Sequence, residues 1–513
     1  MIFKFFFSFF LFVNIFTFAQ NQVKSEVIKK TGLSYRTPLL KPKYPSYNLA
    51  ETFVLTEKAK AGDPFAQHEL GIRYILGVGV PIDSLRAAEW IGLAASKNLP
   101  AANFNYGIML RNGIGVEWNP FKAFKNFKIA AESGMEQAQY IIGLMYTDNL
   151  IVNKNMITSV EWLKKSADKG FEEAKNVLAE FKKSGININE DSLETKEEVV
   201  QTLPAAKTKS FTLEEYNLDF FDFKEDSLTV DEEKAYLNNI LTSKNDELKK
   251  ILNINTSELT NEIKDTSALG LVDFAANSGS PEALLINAKL LEQGIGIKRN
   301  IILAAANYLK AFRLGSFKAA ESLLKISRSN NFSTKIREQE KANNPNAMYV
   351  WAGLIALGMD YSLTEEEAFD LLKKADKQKH ISSIIELGLA YYSGSLVKKD
   401  SLKAIEYFEK AVELGSSEAE IRLAYIKISN DKDKDSSKHL EVLKEYSNKG
   451  SVLAEAALAN CYEHGIVVKK DKAEAAKLYR QAARRGNEAA YNSLRKMYDD
   501  LRPEDEEFKI YLN

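Results

Sequence analysis

The sequence contains few of the residues on which redox, metal and nucleophilic chemistry depend. Its 513 residues include one cysteine and four histidines. The single cysteine, Cys461, cannot form an intramolecular disulfide, so we expect packing alone to stabilise the fold. The histidines form no HExxH pair, and Cys461 with His464 makes one C-x-x-H that has no second pair. The sequence therefore predicts no catalytic residue, no metal site and no cofactor site.

The sequence also lacks an excess of charge of either sign. Its 69 basic and 70 acidic residues leave a formal net charge of −1. Nucleic-acid-binding proteins usually carry a basic excess, so we expect no nucleic-acid partner. The glycine-rich segments GVGV, GIGV and GIGI each follow a predicted helix and recur with the repeat described below. We interpret them as turns rather than as nucleotide-binding loops.

One long apolar run stands at the N-terminus. Residues 1–19 have the features of a signal peptide: Lys4, the apolar run 5–18, and the small side chains of Thr17 and Ala19 at the cleavage site. The alternative is an uncleaved anchor, but a run of about 14 residues is short against the roughly 20 that span a membrane. We expect cleavage after Ala19 and export to the periplasm or the extracellular space, with no membrane segment left in the mature chain.

Small residues recur at a fixed interval of 36 positions. A period of this size indicates stacked copies of one supersecondary unit. The residues that keep this interval are Gly71, Gly107 and Gly143, and likewise Ala66, Ala102, Ala138 and Ala174.

Each copy has the pattern of two helices. In the copy that starts at Ala66, Leu70, Gly71 and Tyr74 share one helical face. Glycines and a proline then end the first helix, and Asp83 is placed to cap the second.

Comparison of the copies supports this interpretation. The position of Gly77 holds only glycine or asparagine, including Asn149, and both residues tolerate a positive φ. The position of Gly71 holds glycine or alanine in the clearly aligned copies, so we expect two helix backbones to approach closely there. The capping position reads Asp83, Asn119, Asn155, Asn300, Asp400 and Asp471.

The pattern A-x-x-x-L-G-x-x-Y-x-x-G-x-G-V, then D-x-x-x-A-x-x-W/Y, then A-A-x-x-G, resembles the Sel-one-like repeat family, a branch of the tetratricopeptide-like solenoids. The stretches Ser383–Gly415 and Ala454–Gly486 carry it most clearly. The resemblance implies an all-α, α/α superhelical solenoid. It also implies an interaction scaffold that has no catalytic residues.

The repeats form two predicted arrays, separated by a segment that breaks the pattern. This segment is acidic and contains five interspersed aromatic residues. It is either a disordered linker or a segment that docks through its aromatic side chains.

The charged tail is expected to cap the last repeat, because a bare apolar repeat face is costly. The predicted divisions are a signal peptide at 1–19, an irregular leader at 20–47, a first array at 48–185, the acidic segment at 186–234, a helical segment at 235–277, a second array at 278–500 and the tail at 501–513.

The resemblance implies that the first helix of each copy lines a concave binding surface. Varied polar residues outside the apolar stripe of those helices are candidates for contact with a partner. Trp118, beside a turn, is a further candidate, with burial in the core as the alternative. The seven candidates are Glu69, Arg73, Asn105, Arg111, Trp118, Glu386 and Arg422.

These features predict a non-enzymatic scaffold of the cell envelope that binds a protein or peptide. One alternative is an enzyme or enzyme modulator that acts on envelope polymers such as peptidoglycan. Another is a secreted adhesin or toxin-neutralising factor.

Overall fold

The computed structural model describes residues 49–183, 230–255, 263, 265–329, 331–394, 397–429 and 436–511. The predicted signal peptide, leader and most of the acidic segment lie outside these residues. The described residues contain helices and no strand, which confirms the all-α fold class. They divide into two compact units. We call the one that contains residues 20–210, 471–476 and 494–513 the first unit, and the one that contains 211–470 and 477–493 the second unit.

The first array begins with a lone helix and continues as helical pairs. Its helices are α1 (Leu49–Lys60), α2 (Pro64–Leu76), α3 (Ser84–Ala95), α4 (Pro100–Asn112), α5 (Pro120–Glu132), α6 (Glu136–Met145), α7 (Met156–Asp168) and α8 (Glu172–Lys183).

The chain then continues through sixteen further helices among the described residues. They are α9 (Val230–Thr242), α10 (Asn245–Ile251), α11 (Ala268–Asn277), α12 (Pro281–Gln293), α13 (Ile301–Arg313), α14 (Phe317–Ser327), α15 (Phe332–Lys341), α16 (Pro345–Ala356), α17 (Glu365–Lys377), α18 (Ile381–Ser393), α19 (Ser401–Glu413), α20 (Ser417–Ser429), α21 (Ser436–Asn448), α22 (Val452–His464), α23 (Lys472–Arg484) and α24 (Glu488–Asp499).

The predicted helix ends are mostly confirmed. Gly77 and its equivalents Gly113, Gly294 and Gly394 adopt φ values between 65° and 75°, a region that glycine enters without steric cost. Asn149 is the exception, because α6 already ends at Met145 and Asn149 is not among the residues with positive φ. The Asn149 side chain instead accepts a hydrogen bond from the Lys154 N–H at 2.6 Å.

The predicted N-caps are confirmed as well. Each carboxylate or amide oxygen accepts a hydrogen bond from a backbone N–H two or three residues further on, which satisfies a donor that the helix itself leaves free. The six N-caps are Asp83, Asn119, Asn155, Asn300, Asp400 and Asp471.

The paired helices approach each other at the small residue, as predicted. A Cβ atom on Gly71 would lie 2.4 Å from Cγ1 of Ile91 and 3.0 Å from the carbonyl oxygen of Ala87. A Cβ on Gly107 would lie 2.7 Å from the Phe127 ring. Real Cβ atoms do not come this close to other heavy atoms, so the second helix occupies the space that a side chain would need.

The copy that begins at Ala319 departs from the repeat pattern and changes the packing around it. Helices α14 and α15 are joined by only four residues, 328–331, so the usual long loop is missing. Helix α16 packs directly against α13, and a Cβ on Gly353 would lie 2.2 Å from Cδ2 of Leu309. The sequence pattern did not predict this second close approach, because Gly353 stands one residue after the repeated small position at Ala352.

We expect Gly71→Val to lower the free energy of unfolding of the first unit by about 3 kcal/mol, because the added carbons overpack the contact with Ile91. Lys122→Val, at an exposed position of α5, is the matched control and should change stability by less than about 0.5 kcal/mol. Urea denaturation followed by tryptophan fluorescence measures both. Equal stability of the two variants would show that the close approach is not required.

Candidate interaction surfaces

Turns that lie four or five repeats apart along the chain meet within the second unit. A Cβ on Gly315 would lie 2.3 Å from the carbonyl oxygen of Gly486, and one on Gly279 would lie 3.1 Å from Oγ of Ser451. The Ser417 hydroxyl also donates a hydrogen bond to the carbonyl oxygen of Asn277. The second array therefore winds until its later turns pack against its beginning.

A buried arginine holds these distant parts of the array together. Arg485 donates from Nε and Nη2 to the two carboxylate oxygens of Glu282, both at 2.8 Å. It also donates from Nη1 to Glu455 at 2.8 Å and from Nη2 to the carbonyl oxygen of Gly450 at 2.6 Å. Burial opposes the ionisation of Glu282, but the charge and hydrogen bonds of Arg485 outweigh it, so the pKa of Glu282 is lowered.

A second ion cluster joins three helices of the same unit. Arg313, at the end of α13, donates to Glu418 of α20 from both terminal nitrogens, with Nη2 to Oε2 at 2.6 Å. Arg422 donates to the same carboxylate at 3.0 Å. Glu386 of α18 lies 2.8 Å from Nε of Arg313. Neither oxygen of Glu386 makes a well-aligned hydrogen bond with a described residue.

This difference in hydrogen bonding shifts the pKa values of Glu386 and Glu418 in opposite directions. Burial raises the pKa of Glu386 to about 7, and the attraction of Arg313 compensates only in part. Burial also opposes the ionisation of Glu418, but the two arginines lower its pKa to about 2. Glu418 is therefore the permanent anion of the cluster, and Glu386 is the group that titrates near neutral pH.

Polar side chains of the first unit bond to one another in a similar way. Arg73 donates to Glu69 at 3.1 Å and to the Thr52 hydroxyl at 3.0 Å, which ties α2 to α1. Nδ2 of Asn105 lies 2.8 Å from Nε2 of His68. Burial lowers the pKa of His68 to about 4, so the imidazole is neutral and its Nε2 accepts this hydrogen bond.

The structure thus places the predicted contact residues inside the protein. Arg73, Asn105, Trp118 and Glu386 are buried, whereas Glu69, Arg111 and Arg422 are half-buried. Their role in partner binding stays a prediction.

Of the two alternatives for Trp118, the structure shows the buried one. Its indole is only 5% exposed, because the Tyr498 ring packs against it edge to face at a centroid distance of 5.4 Å.

The residues that cover Trp118 and its neighbours come from the C-terminal end of the chain. We call residues 501–511 the C-terminal segment. Phe508 is fully buried, with its ring centroid 5.1 Å from that of Phe121 on α5. Lys125 of α5 donates to Asp505 at 2.6 Å. Arg502 donates to the carbonyl oxygen of Leu150 at 2.9 Å.

This arrangement differs from the expected cap on the last repeat, since the segment covers the outer side of α5. Its charged composition concealed one aromatic anchor, Phe508. Phe508, directly after the acidic run 504–507, was the available signal.

Exposed apolar side chains are concentrated in the first repeat and the helix before it. Of the twelve large hydrophobic residues that are exposed in the described part of the chain, seven lie between positions 53 and 93. Phe65 is 70% exposed and Ile82 is 74% exposed. The seven residues are Phe53, Val54, Phe65, Leu76, Ile82, Leu85 and Leu93.

Reactive groups are not gathered anywhere in the described residues. These residues contain no cluster of three or more histidine, cysteine or acidic side chains that could hold a metal ion. Cys461 is buried, and burial raises the pKa of its thiol to about 11, so the thiol is protonated at neutral pH. Among the described helices, none combines the length and the apolar character that crossing a membrane requires.

We expect Arg485→Met to lower the free energy of unfolding of the second unit by about 3–5 kcal/mol, because it leaves two buried carboxylates without their cation. The variant that also carries Glu282→Gln and Glu455→Gln should recover part of this loss. Trp351 is the one tryptophan of this unit, so in a background in which Trp90, Trp118 and Trp162 are replaced by Phe, the fluorescence during urea denaturation reports on this part of the chain. An unchanged urea midpoint for Arg485→Met would contradict the role of Arg485 in holding distant parts of the second array together.

The pKa of Glu386 gives a stability that depends on pH. The folded protein holds this proton more tightly than the unfolded chain, whose carboxyl group titrates near 4.5. Stability from this group therefore falls as the pH rises from 4.5 through 7, and the full cost of the buried anion is present above that range.

We expect Glu386→Gln to raise the free energy of unfolding by about 1–3 kcal/mol at about pH 8.5 and to change it little at about pH 5. Glu418→Gln is the matched control and should destabilise at both pH values, because the lowered pKa of Glu418 makes its ionised form the stabilising one. Urea titrations of both variants, followed by Trp351 fluorescence, measure the effect. A loss of stability in Glu386→Gln at about pH 8.5 would contradict this assignment.

Comparison with known proteins agrees with the architecture. Six segments match the Sel1 repeat, at residues 64–99, 100–135, 136–171, 282–316, 381–416 and 452–487. No curated protein matches the chain.

Two solved structures are similar to this chain. One is a protective antigen present in uropathogenic Escherichia coli strains that displays an SLR fold. It has 21% identity and a TM-score of 0.30, and the match covers 88% of this chain and 83% of that one. The other is a Sel1 repeat protein from Oxalobacter formigenes, with 34% identity and a TM-score of 0.25 over 25% of this chain and 98% of that one. The repeats and their sequence matches lead to one conclusion: the chain belongs to the Sel1 repeat family.

Proposed function

We propose that this protein is a non-enzymatic scaffold that binds a partner protein in the cell envelope or outside the cell. Members of the Sel1 repeat family are commonly protein–protein interaction scaffolds. The observation that carries the proposal for this chain is the group of exposed apolar side chains in its first repeat. Apolar side chains gathered in one region of a surface are typical of interaction sites.

The polar residues of the first helices support binding less well. Their side chains already meet neighbouring helices: Arg73 of α2 donates to Thr52 of α1, and Glu386 of α18 lies 2.8 Å from Arg313 of α13. A partner would have to break these bonds before it could form its own, and a buried charge that loses its counter-ion is costly. The first repeat offers apolar contacts without that cost.

The N-terminal sequence supports the proposed location. Lys4, the apolar run 5–18 and the small residue Ala19 are the parts of an export signal. In this proposal the signal is removed and the mature protein works in the periplasm or the extracellular space.

The test determines where the protein is located in the cell and whether a purified partner protein binds it. The full-length protein is expressed in a bacterial host, the cells are fractionated, and the exported form is sequenced from its N-terminus, which should begin at Gln20. Proteins crosslinked to it in the envelope fraction are identified, and each is then purified and titrated against the mature chain.

We expect one of these purified proteins to bind at a stoichiometry of about one. Retention in the cytoplasm would contradict the proposed location. A set of crosslinked proteins of which none binds when purified would contradict the scaffold function.

A further inference from the structure

The first two repeats carry apolar residues at the same positions, but these residues are buried in the second repeat and exposed in the first. In the second repeat, Trp118 and Phe121 are buried, at 5% and 1% exposure. The positions 36 residues earlier hold Ile82 and Leu85, which are 74% and 67% exposed. Both positions are apolar in both repeats. The second repeat therefore shows what can cover these positions in this fold.

In the second repeat, the cover is a stretch of polypeptide from the same unit. The Tyr498 ring packs on Trp118 and Phe121, and the Phe508 ring packs on Phe121 and Phe124. Aromatic pairs of this geometry contribute beyond the area they bury. Two aromatic anchors thus seal the outer face of α5.

Charge fixes this segment in register. Asp505, three residues before Phe508, accepts a hydrogen bond from Lys125 at 2.6 Å. Glu507 also pairs with Lys128 of the same helix. The covered face of α5 therefore makes both apolar contacts and ion pairs. In both ion pairs the helix supplies the basic residue and the C-terminal segment supplies the acidic one.

The equivalent face of the first repeat begins beside the turn that leads into α5. We call Ile82, Leu85, Glu89 and Leu93 the outer stripe. Leu85, Glu89 and Leu93 are spaced by four residues and so share one face of α3. The turn before α5 touches the start of α3, because a Cβ on Gly115 would lie 1.9 Å from the carbonyl oxygen of Ser84. A chain that leaves the face of α5 can therefore pass directly onto the outer stripe.

The charged residue of the outer stripe is acidic, whereas the equivalent residue of α5 is basic. Glu89 occupies the position of Lys125. It is exposed and makes no ion pair with a described residue, whereas Arg86 beside it pairs with Asp83 at 3.5 Å. A segment that docks here as the C-terminal segment docks on α5 must carry a basic residue where that segment carries Asp505.

We propose that the outer stripe is the docking site for an extended segment of a partner protein, anchored by an aromatic side chain and carrying Lys or Arg three residues before it. This inference rests on the proposed scaffold function and names the chemistry of its partner. The apolar side chains of Ile82, Leu85 and Leu93 receive the aromatic anchor, and Glu89 pairs with the basic residue.

The test uses labelled peptides with the sequence of residues 501–511, one unaltered and one with Asp505→Lys, titrated against the full mature chain by fluorescence anisotropy. The chain's own C-terminal segment occupies α5, so the added peptide reports on other faces. We expect the Asp505→Lys peptide to bind at least tenfold more tightly than the unaltered one. Leu85→Asp should weaken its binding at least tenfold, and Glu89→Lys should reverse the preference between the peptides.

Leu402→Asp is the matched control, because Leu402 is 76% exposed at the start of another second helix, α19, and should have no effect. Binding of neither peptide, or equal binding of both, would overturn the inference, as would insensitivity to Leu85→Asp. At least tenfold tighter binding by a chain lacking residues 20–47 would show that these residues compete for the stripe, and would overturn its assignment to a separate protein. If a purified partner binds the wild type and the Leu85→Asp variant equally, the scaffold function stands and this inference fails.

Discussion

The close approach of the two helices within each repeat is the contact on which the rest of this structure depends. At Gly71 the space for a side chain is filled by Ile91, and at Gly107 it is filled by Phe127. Dispersion contacts of this kind weaken steeply with distance, so closely packed backbones gain more from them than helices held apart. Because the same contact recurs in the regular repeats, these repeats have nearly the same shape, and the apolar face of one fits the next.

Regular stacking has a geometric consequence in the second unit. The second array turns as its repeats accumulate, even with the irregular copy at α14 and α15, and after five repeats Gly486 meets Gly315. Charges that a looser array would leave in water are then brought into the interior. Arg485 compensates the carboxylates of Glu282 and Glu455, and Arg313 compensates that of Glu418. Such networks stabilise only when all members are present, so this part of the fold is specific and sensitive to the loss of any one charge.

The burial of polar side chains also bears on where a partner can bind. Glu386 varies between repeats as a partner-contacting residue would, yet its side chain is only 1% exposed and meets Arg313 of another helix. Leu85 and Leu93 of α3 are exposed. The C-terminal segment on α5 shows that a polypeptide with aromatic anchors packs against a second helix of this fold.

Local features of this protein could be predicted from the sequence, because they depend on residues close together in the chain. The helical pairs, the caps at Asp83 and its equivalents, and the positive φ of Gly77 follow from backbone sterics and hydrogen bonding within a few residues. The exception, Asn149, shows that asparagine permits this conformation without requiring it.

Only the tertiary structure decided which polar residues are buried and where the C-terminal segment binds. Arg485 and Glu282 are 203 residues apart, and Lys125 and Asp505 are 380 residues apart. Hydrogen bonding and sterics within a few residues do not determine pairings between residues so far apart in the chain.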